Sequence, residues 1–144
     1  MAISKVLVPI DGSPTSYRGL MCATSLAKKL GAEITLLHVV ESPSYAFAPR
    51  GGSAIPPEAF ARIEESADKL LQRRALELAE EGVKSQTLLK RGSPAKEILK
   101  ASSGYDLIVM GRQGLSRLQR LMVGSVSNRV LEGSKIPVMI VEPE

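Results

Sequence analysis

The chain has 144 residues, 44% of them hydrophobic and 24% charged, with a formal net charge of +4. This is enough for one sizeable core and too little for two, and the balance is that of an ordinary globular domain over residues 1–144, which excludes disordered, collagen-like and disulfide-stapled classes. The positive charge attracts anions, but aromatics make up only 3% of the chain, too few for a surface that stacks single-stranded bases.

In chain order, Lys5 to Ile10 is a short β-branched run that reads as a strand. Ser13 then suits a helix N-cap and Pro14 the first helical position. A helix follows to Leu30 with Tyr17, Leu20, Ala23, Ala27 and Leu30 as its apolar stripe, and Gly31 stops it. Glu33 to Val40 is a second strand, apolar enough to be covered on both faces. Glu41 to Pro57 is a proline-rich loop without periodicity, of a length that usually marks a lid or binding loop. A longer helix from Glu58 to Glu81 carries Phe60, Ile63, Ala67, Leu70, Leu71, Ala75 and Leu78, and Gly82 ends it.

Val83 to Leu89 alternates polar and apolar residues, which places a third strand near a sheet edge. Ser93-Pro94 repeats the cap-plus-proline device before a short helix to Ala101. Tyr105 to Met110 is a buried fourth strand. Ser125 to Leu131 is helical, Gly133 stops it, and Ile136 to Val141 is a fifth strand. Strands alternating with helices define an α/β fold, an open parallel sheet with helices on both faces. Its ligands belong beyond the carboxyl ends of the strands, after Ile10, Val40, Leu89 and Met110.

Several chemistries are excluded by missing motifs. There is no G-x-x-x-x-G-K-[ST] loop, no G-x-G-x-x-G after the first strand and no H-E-x-x-H. Cys22 is alone, so no intrachain disulfide forms, which suits a reducing, cytoplasmic setting. The single histidine, His38, leaves no usual zinc site or Ser-His-Asp triad, and its place in an apolar strand points to a structural role. No charged leader precedes the first strand, and no apolar run approaches the roughly 20 residues of a membrane span, so no membrane partner is expected.

The informative stretch runs from Met110 to Ser125. Gly111, Gly114 and Gly124 follow a buried strand, and Gly124-Ser125 opens a helix. Glycines let backbone N–H groups approach an anion, and a helix start adds free donors and a favourable dipole. From Leu107 to Leu131 no acid occurs, while Arg112, Arg117, Arg120 and Arg129 do. On spacing alone, a phosphate site and a solvated basic loop remain equal readings.

The spacing Gly111-x2-Gly114-x9-Gly124-Ser125 resembles the nucleotide motif of the universal stress protein family, in its ATP-binding branch. VLVPIDGSPTS, LLHVV, YDLIVMG, GSVSNRVL and KIPVMIVEP resemble that family in the same order. The resemblance implies a five-stranded parallel sheet of order 3-2-1-4-5 and a homodimer. It implies ATP, or AMP or ADP, as ligand, with Mg2+ or Mn2+. Asp11 then matches the acid on the ribose, Pro9 and Ile10 the strand end beside the base, and Val39 the residue whose backbone reads adenine. Met110 and Gly111 match the end of strand four, and Gly114, Gly124, Ser125 and Val126 the phosphate lining. Arg112-Gln113 departs from the small residue and histidine common in relatives, which bears on triphosphate over monophosphate. With no general base evident in the motif, the expected function is a nucleotide-binding regulatory protein of the stress response. The alternatives are a slow ATPase or a structural dimer without nucleotide; nucleic acid ranks last.

Overall fold

The computed structural model describes residues 2–41, 56–112 and 124–142. Its strands are β1 (Lys5–Pro9), β2 (Glu33–Val40), β3 (Ser85–Arg91), β4 (Leu107–Gly111) and β5 (Val138–Val141). Its helices are α1 (Pro14–Leu30), α2 (Pro57–Glu80), α3 (Pro94–Ala101) and α4 (Ser125–Gly133). The strands are parallel and lie in the order β3-β2-β1-β4-β5, as the resemblance implied.

The sheet separates two apolar layers. Val6, Val8, Ile10, Ile34 and Leu36 meet Leu20, Ala23 and Ala27 of α1 and Leu71 and Leu78 of α2. Leu7, Leu37, Ile108 and Met110 point the other way, onto Ala95 and Ile98 of α3 and Val130 of α4. Strand side chains alternate in direction, so β1 and β2, apolar at successive positions, are covered on both faces.

Local signals set the first helix. Ser13 Oγ accepts the Ser16 N–H at 3.1 Å, Pro14 follows, and Gly31 closes the helix at φ 68°. Two members of its expected stripe lie outside the core, Tyr17 at 39% and Leu30 at 50% exposure. The sheet takes up the face of Gly19, Leu20, Ala23 and Ala27, and Tyr17 falls on the flank, where the Arg74 guanidinium stacks 4.4 Å from its ring. Ile63 of α2 is likewise exposed.

Other boundaries shift for identifiable reasons. β1 ends at Pro9 rather than Ile10, because its pairing stops there. The third strand was expected over Val83 to Leu89 but runs from Ser85 to Arg91. Val83 is used to turn the chain, its N–H bonding Leu78 O and its side chain buried. At an edge, Lys90 and Arg91 can stay in the ladder because their side chains reach solvent, and Arg91 pairs with Glu64. Tyr105 precedes β4 and sends its hydroxyl to Thr35 Oγ1 at 2.9 Å. Pro137 precedes β5 and accepts the Ile108 N–H. Gly133 is the last residue of α4, not a stop beyond it; a Cβ there would lie 2.8 Å from Leu99 Cδ1, so this glycine lets α3 and α4 touch.

Asp106 ties the amino terminus to the sheet. Its Oδ2 accepts the N–H groups of Ser4 and Lys5, both at 2.9 Å, and the Ser4 hydroxyl at 3.1 Å. Those backbone bonds, then the hydroxyl, hold its carboxyl below the usual carboxylate value. A group whose pKa is depressed by folding contributes stability above its unfolded pKa and loses it as pH falls through the folded one. Asp106→Asn is therefore expected to flatten the loss of stability below about pH 4. Denaturation midpoints measured through that range check it; parallel curves for variant and wild type would contradict it.

Candidate functional site

The sheet order reverses between β1 and β4, and there the two strands come apart. Pairing of β1 with β4 ends at Leu7↔Ile108, although β4 continues beside β5 to Gly111↔Val141. Alternate residues of a parallel strand bond to opposite neighbours. Ile10 donates to Leu37 O of β2 at 2.8 Å, so Pro9 faces β4. The next β1–β4 rung needs an N–H on residue 9, and proline has none. A switch point is where an open sheet is expected to form its crevice, here between Pro9, Ile10 and Asp11 on one side and Met110 and Gly111 on the other.

β1 also parts early from β2. Their pairing ends at Pro9↔Leu37, while β2 continues beside β3 to Val40↔Arg91. Gly92 N–H bonds Val40 O on the β3 side, so Val39 turns its backbone N–H and C=O toward the line of β1, past the end of that ladder. The carbonyl that would meet the Val39 N–H is Ile10 O, and His38 Nδ1 occupies it at 2.6 Å. A carbonyl only accepts, so Nδ1 carries the proton.

The opposite wall is built by glycines. A Cβ on Gly111 would stand 2.7 Å from Thr15 O, and one on Gly19 would stand 3.2 Å from Gly111 N. α1 and the end of β4 therefore meet backbone to backbone. Gly111 O accepts the Ser127 hydroxyl at 2.8 Å, and Gly124 N–H bonds Arg112 O at 2.9 Å, which pins the start of α4 to the end of β4. Gly124 is the N-cap and provides no side-chain hydrogen bond to the first turn. With Ser125 exposed and Val126 half-buried, the first turn presents N–H groups that a capping side chain would otherwise satisfy.

Asp11 is both hydrogen-bonded and exposed. Its Oδ1 accepts the Ser13 N–H at 2.9 Å, and its own N–H donates to Ser16 Oγ at 3.1 Å, so it does shape the turn before α1. The residue is exposed and lies with His38, Ser66, Ile63 and Leu70 along an open cleft of about 390 Å³. Ile10 and Met110 are each 6% exposed and pack into opposite apolar layers, so they support the crevice from below.

Thus Pro9, Ile10, Asp11, Val39, Met110, Gly111, Gly124, Ser125 and Val126 gather at one end of the sheet, while Gly114, Gln113, Arg117 and Arg120 lie outside the described residues. The arginine cluster needs one correction. Arg112 pairs with Glu142 at 2.8 Å, just past β5, and its buried Nε has no partner among the described residues. The acid-free stretch in the sequence concealed this neutralising carboxylate, which arrives across the sheet. His38 at Ile10 O was also missed, because a histidine in an apolar strand carries no sign of which carbonyl it will meet. Among the described residues, no three His, Cys, Asp or Glu side chains gather as metal ligands, and no helix is long and apolar enough to cross a membrane.

The strand order and the split at β1 define an open parallel α/β protein whose strand order reverses between β1 and β4. The family model for the universal stress protein family matches residues 2–142, and the chain belongs to that family. It is 37% identical to universal stress protein YxiE of Bacillus subtilis, over 96% of this chain and 98% of that one. The solved structure of MJ0577, a universal stress protein of Methanocaldococcus jannaschii, superposes with a TM-score of 0.85 at 27% identity, covering 100% of this chain and 99% of that one. Two further solved structures share the fold. One is a universal stress protein in complex with cAMP (TM-score 0.67, 24% identity, 100% of both chains). The other is the Archaeoglobus fulgidus protein in complex with dAMP (TM-score 0.69, 20% identity, 99% and 100%).

Proposed function

We propose that this chain binds an adenine nucleotide, ATP with AMP or ADP as alternatives, in the crevice between β1 and β4, and that it works in the cytoplasm as a nucleotide-dependent regulatory homodimer of the stress response. The observation that carries this reading is the split end of β1. It leaves the Val39 N–H and C=O side by side beyond the ladder, a donor next to an acceptor, matching the ring nitrogen and amino group along one edge of adenine. The exposed Asp11 carboxylate suits a ribose diol. The uncapped first turn of α4 suits phosphates, through its N–H groups and dipole. The cAMP and dAMP complexes of the structural neighbours support the same ligand class. A Mg2+ or Mn2+ ion would be held through the nucleotide phosphates, since the described residues gather no ligand set of their own.

The site reads as one for binding. Hydrolysis requires a group that positions water, and the Nδ1 of the one histidine is committed to Ile10 O. The direct test is to denature purified protein, chromatograph what it releases, and titrate the emptied protein with ATP and AMP by calorimetry. Neither retained nucleotide nor binding heat would overturn the reading. Asp11→Ala is expected to weaken ATP and AMP by similar factors, because both carry the ribose. Loss of ATP alone would assign Asp11 to the phosphates or the cation instead.

The homodimer reading rests on β5, whose outer edge no further strand covers among the described residues. Met139 donates toward β4, so Val138 and Ile140 turn their N–H and C=O groups outward, ready to pair with a second copy about a two-fold axis. Their side chains pack on the α3–α4 layer, so lysines there would damage the core as well as the contact. Ile140→Pro removes one outward donor and leaves the β4 ladder intact. Light scattering is expected to give half the wild-type mass for this variant; a wild type already monomeric at micromolar concentration would refute the dimer.

A further inference from the structure

We infer that His38 is a positioning residue for the base: its imidazole takes the Ile10 carbonyl and thereby keeps the backbone edge of Val39 open. The inference rests on the nucleotide reading above and assigns a task to a side chain that the sequence marked as structural. The β1–β2 ladder has regular register from Lys5↔Glu33 to Pro9↔Leu37. Ile10 N–H still reaches Leu37 O at 2.8 Å, so the backbones remain in range at this point. The next bond in sequence would run from Val39 N–H to Ile10 O. It is not made, and the acceptor is held instead by His38 Nδ1 at 2.6 Å. Val39 belongs to a strand that continues to Val40↔Arg91, so β2 itself has not ended or frayed there.

The substitution of a side-chain donor for a backbone donor has a chemical consequence. Were Val39 N–H paired to Ile10 O, only its C=O would remain, and an acceptor alone does not recognise the adenine edge. With the N–H free, the pair offers a donor to the unprotonated ring nitrogen and an acceptor to the amino group. Hypoxanthine reverses both, with a ring N–H and a 6-oxo group, and would leave two groups unpaired. His38 thus acts on base selectivity through Val39 rather than by touching the base.

The test compares wild type, His38→Leu and His38→Asn. The Asn amide nitrogen stands close to where Nδ1 does and can still donate to Ile10 O; Leu cannot. In nucleotide-free protein, hydrogen exchange of the Val39 amide is read by NMR; ATP and ITP affinities are read by calorimetry. We expect fast exchange at Val39 in wild type and protection in His38→Leu. In that variant ATP binding should weaken at least tenfold and the ATP-to-ITP ratio should fall toward one, with His38→Asn restoring both. Unchanged ATP affinity and ratio in a folded His38→Leu would overturn the inference and leave the nucleotide reading standing. So would an Asn variant as impaired as Leu, since ring bulk would then be what matters. If His38→Leu does not fold, a Val39 amide already protected in wild type overturns it, and an unprotected one with an Asn variant that binds normally supports it. A wild type that binds neither nucleotide removes the nucleotide reading itself, and this inference with it.

Discussion

Gly111→Val is expected to destabilise the protein by about 3 kcal/mol, the upper end of what overpacking a close contact costs. The limit at this position is space. A Cβ at residue 111 would lie 2.7 Å from both Thr15 Cγ2 and Thr15 O and 2.8 Å from Thr15 C. Two of those three atoms are backbone and cannot rotate away, so α1 itself must shift. α1 is held to the same place by Gly19, and its start carries the Ser13 cap and the Asp11 turn. The displacement therefore reaches the crevice, and ligand binding should fall along with stability. Gly111→Ala already places the offending Cβ and should show a smaller loss of the same kind. Urea unfolding of the three proteins decides it; a Val variant within about 0.5 kcal/mol of wild type would mean that α1 and β4 do not meet backbone to backbone.

The second large effect is on binding. Gly124→Val is expected to weaken ATP at least tenfold, about 1.4 kcal/mol, while leaving the fold intact. Gly124 has φ −61° and ψ 160°, which valine adopts without strain. The variant loses the close approach of a ligand to the first turn of α4, and a β-branched cap costs the helix about 1 kcal/mol at most. Gly124→Asp separates the two contributions. An aspartate at this position caps the first turn, so stability should rise by a few tenths of a kcal/mol, and it occupies the N–H groups with a negative charge, so ATP affinity should drop further. Stability and affinity moving in opposite directions would be hard to explain unless the phosphates sit there. A folded Gly124→Val with unchanged ATP affinity would remove α4 from the site.

Several parts of this protein are legible in the sequence. Period switching between two and 3.6 marks the strands and helices, because each element must bury one face or stripe. Ser13-Pro14 and Gly31 bound α1 through bonds made within a few residues. The alternation of β3 placed it at an edge, where its polar side chains stay wet. The resemblance that orders the strands as 3-2-1-4-5 depends on short motifs spread along the chain, and they needed no geometry to be seen.

What the sequence by itself determined is therefore local: which segments alternate, where they are capped, and that their apolar faces require an open parallel sheet covered on both sides. The tertiary structure decided whatever depends on partners distant in the chain. Tyr17 left the core because the sheet took the neighbouring face of α1. Gly133 and Gly111 turned out to be contact glycines, because Leu99 and Thr15 arrive from other elements. Arg112 met Glu142 only because β5 lies beside β4. Pro9 and His38 could be read as a proline near a strand end and a histidine in a strand. Only the register of β1 against both neighbours shows that one lacks the donor for the β4 rung and the other takes the acceptor of the β2 rung. A hydrogen-bond ladder is a property of two strands at once, and no single strand encodes where its partner stops.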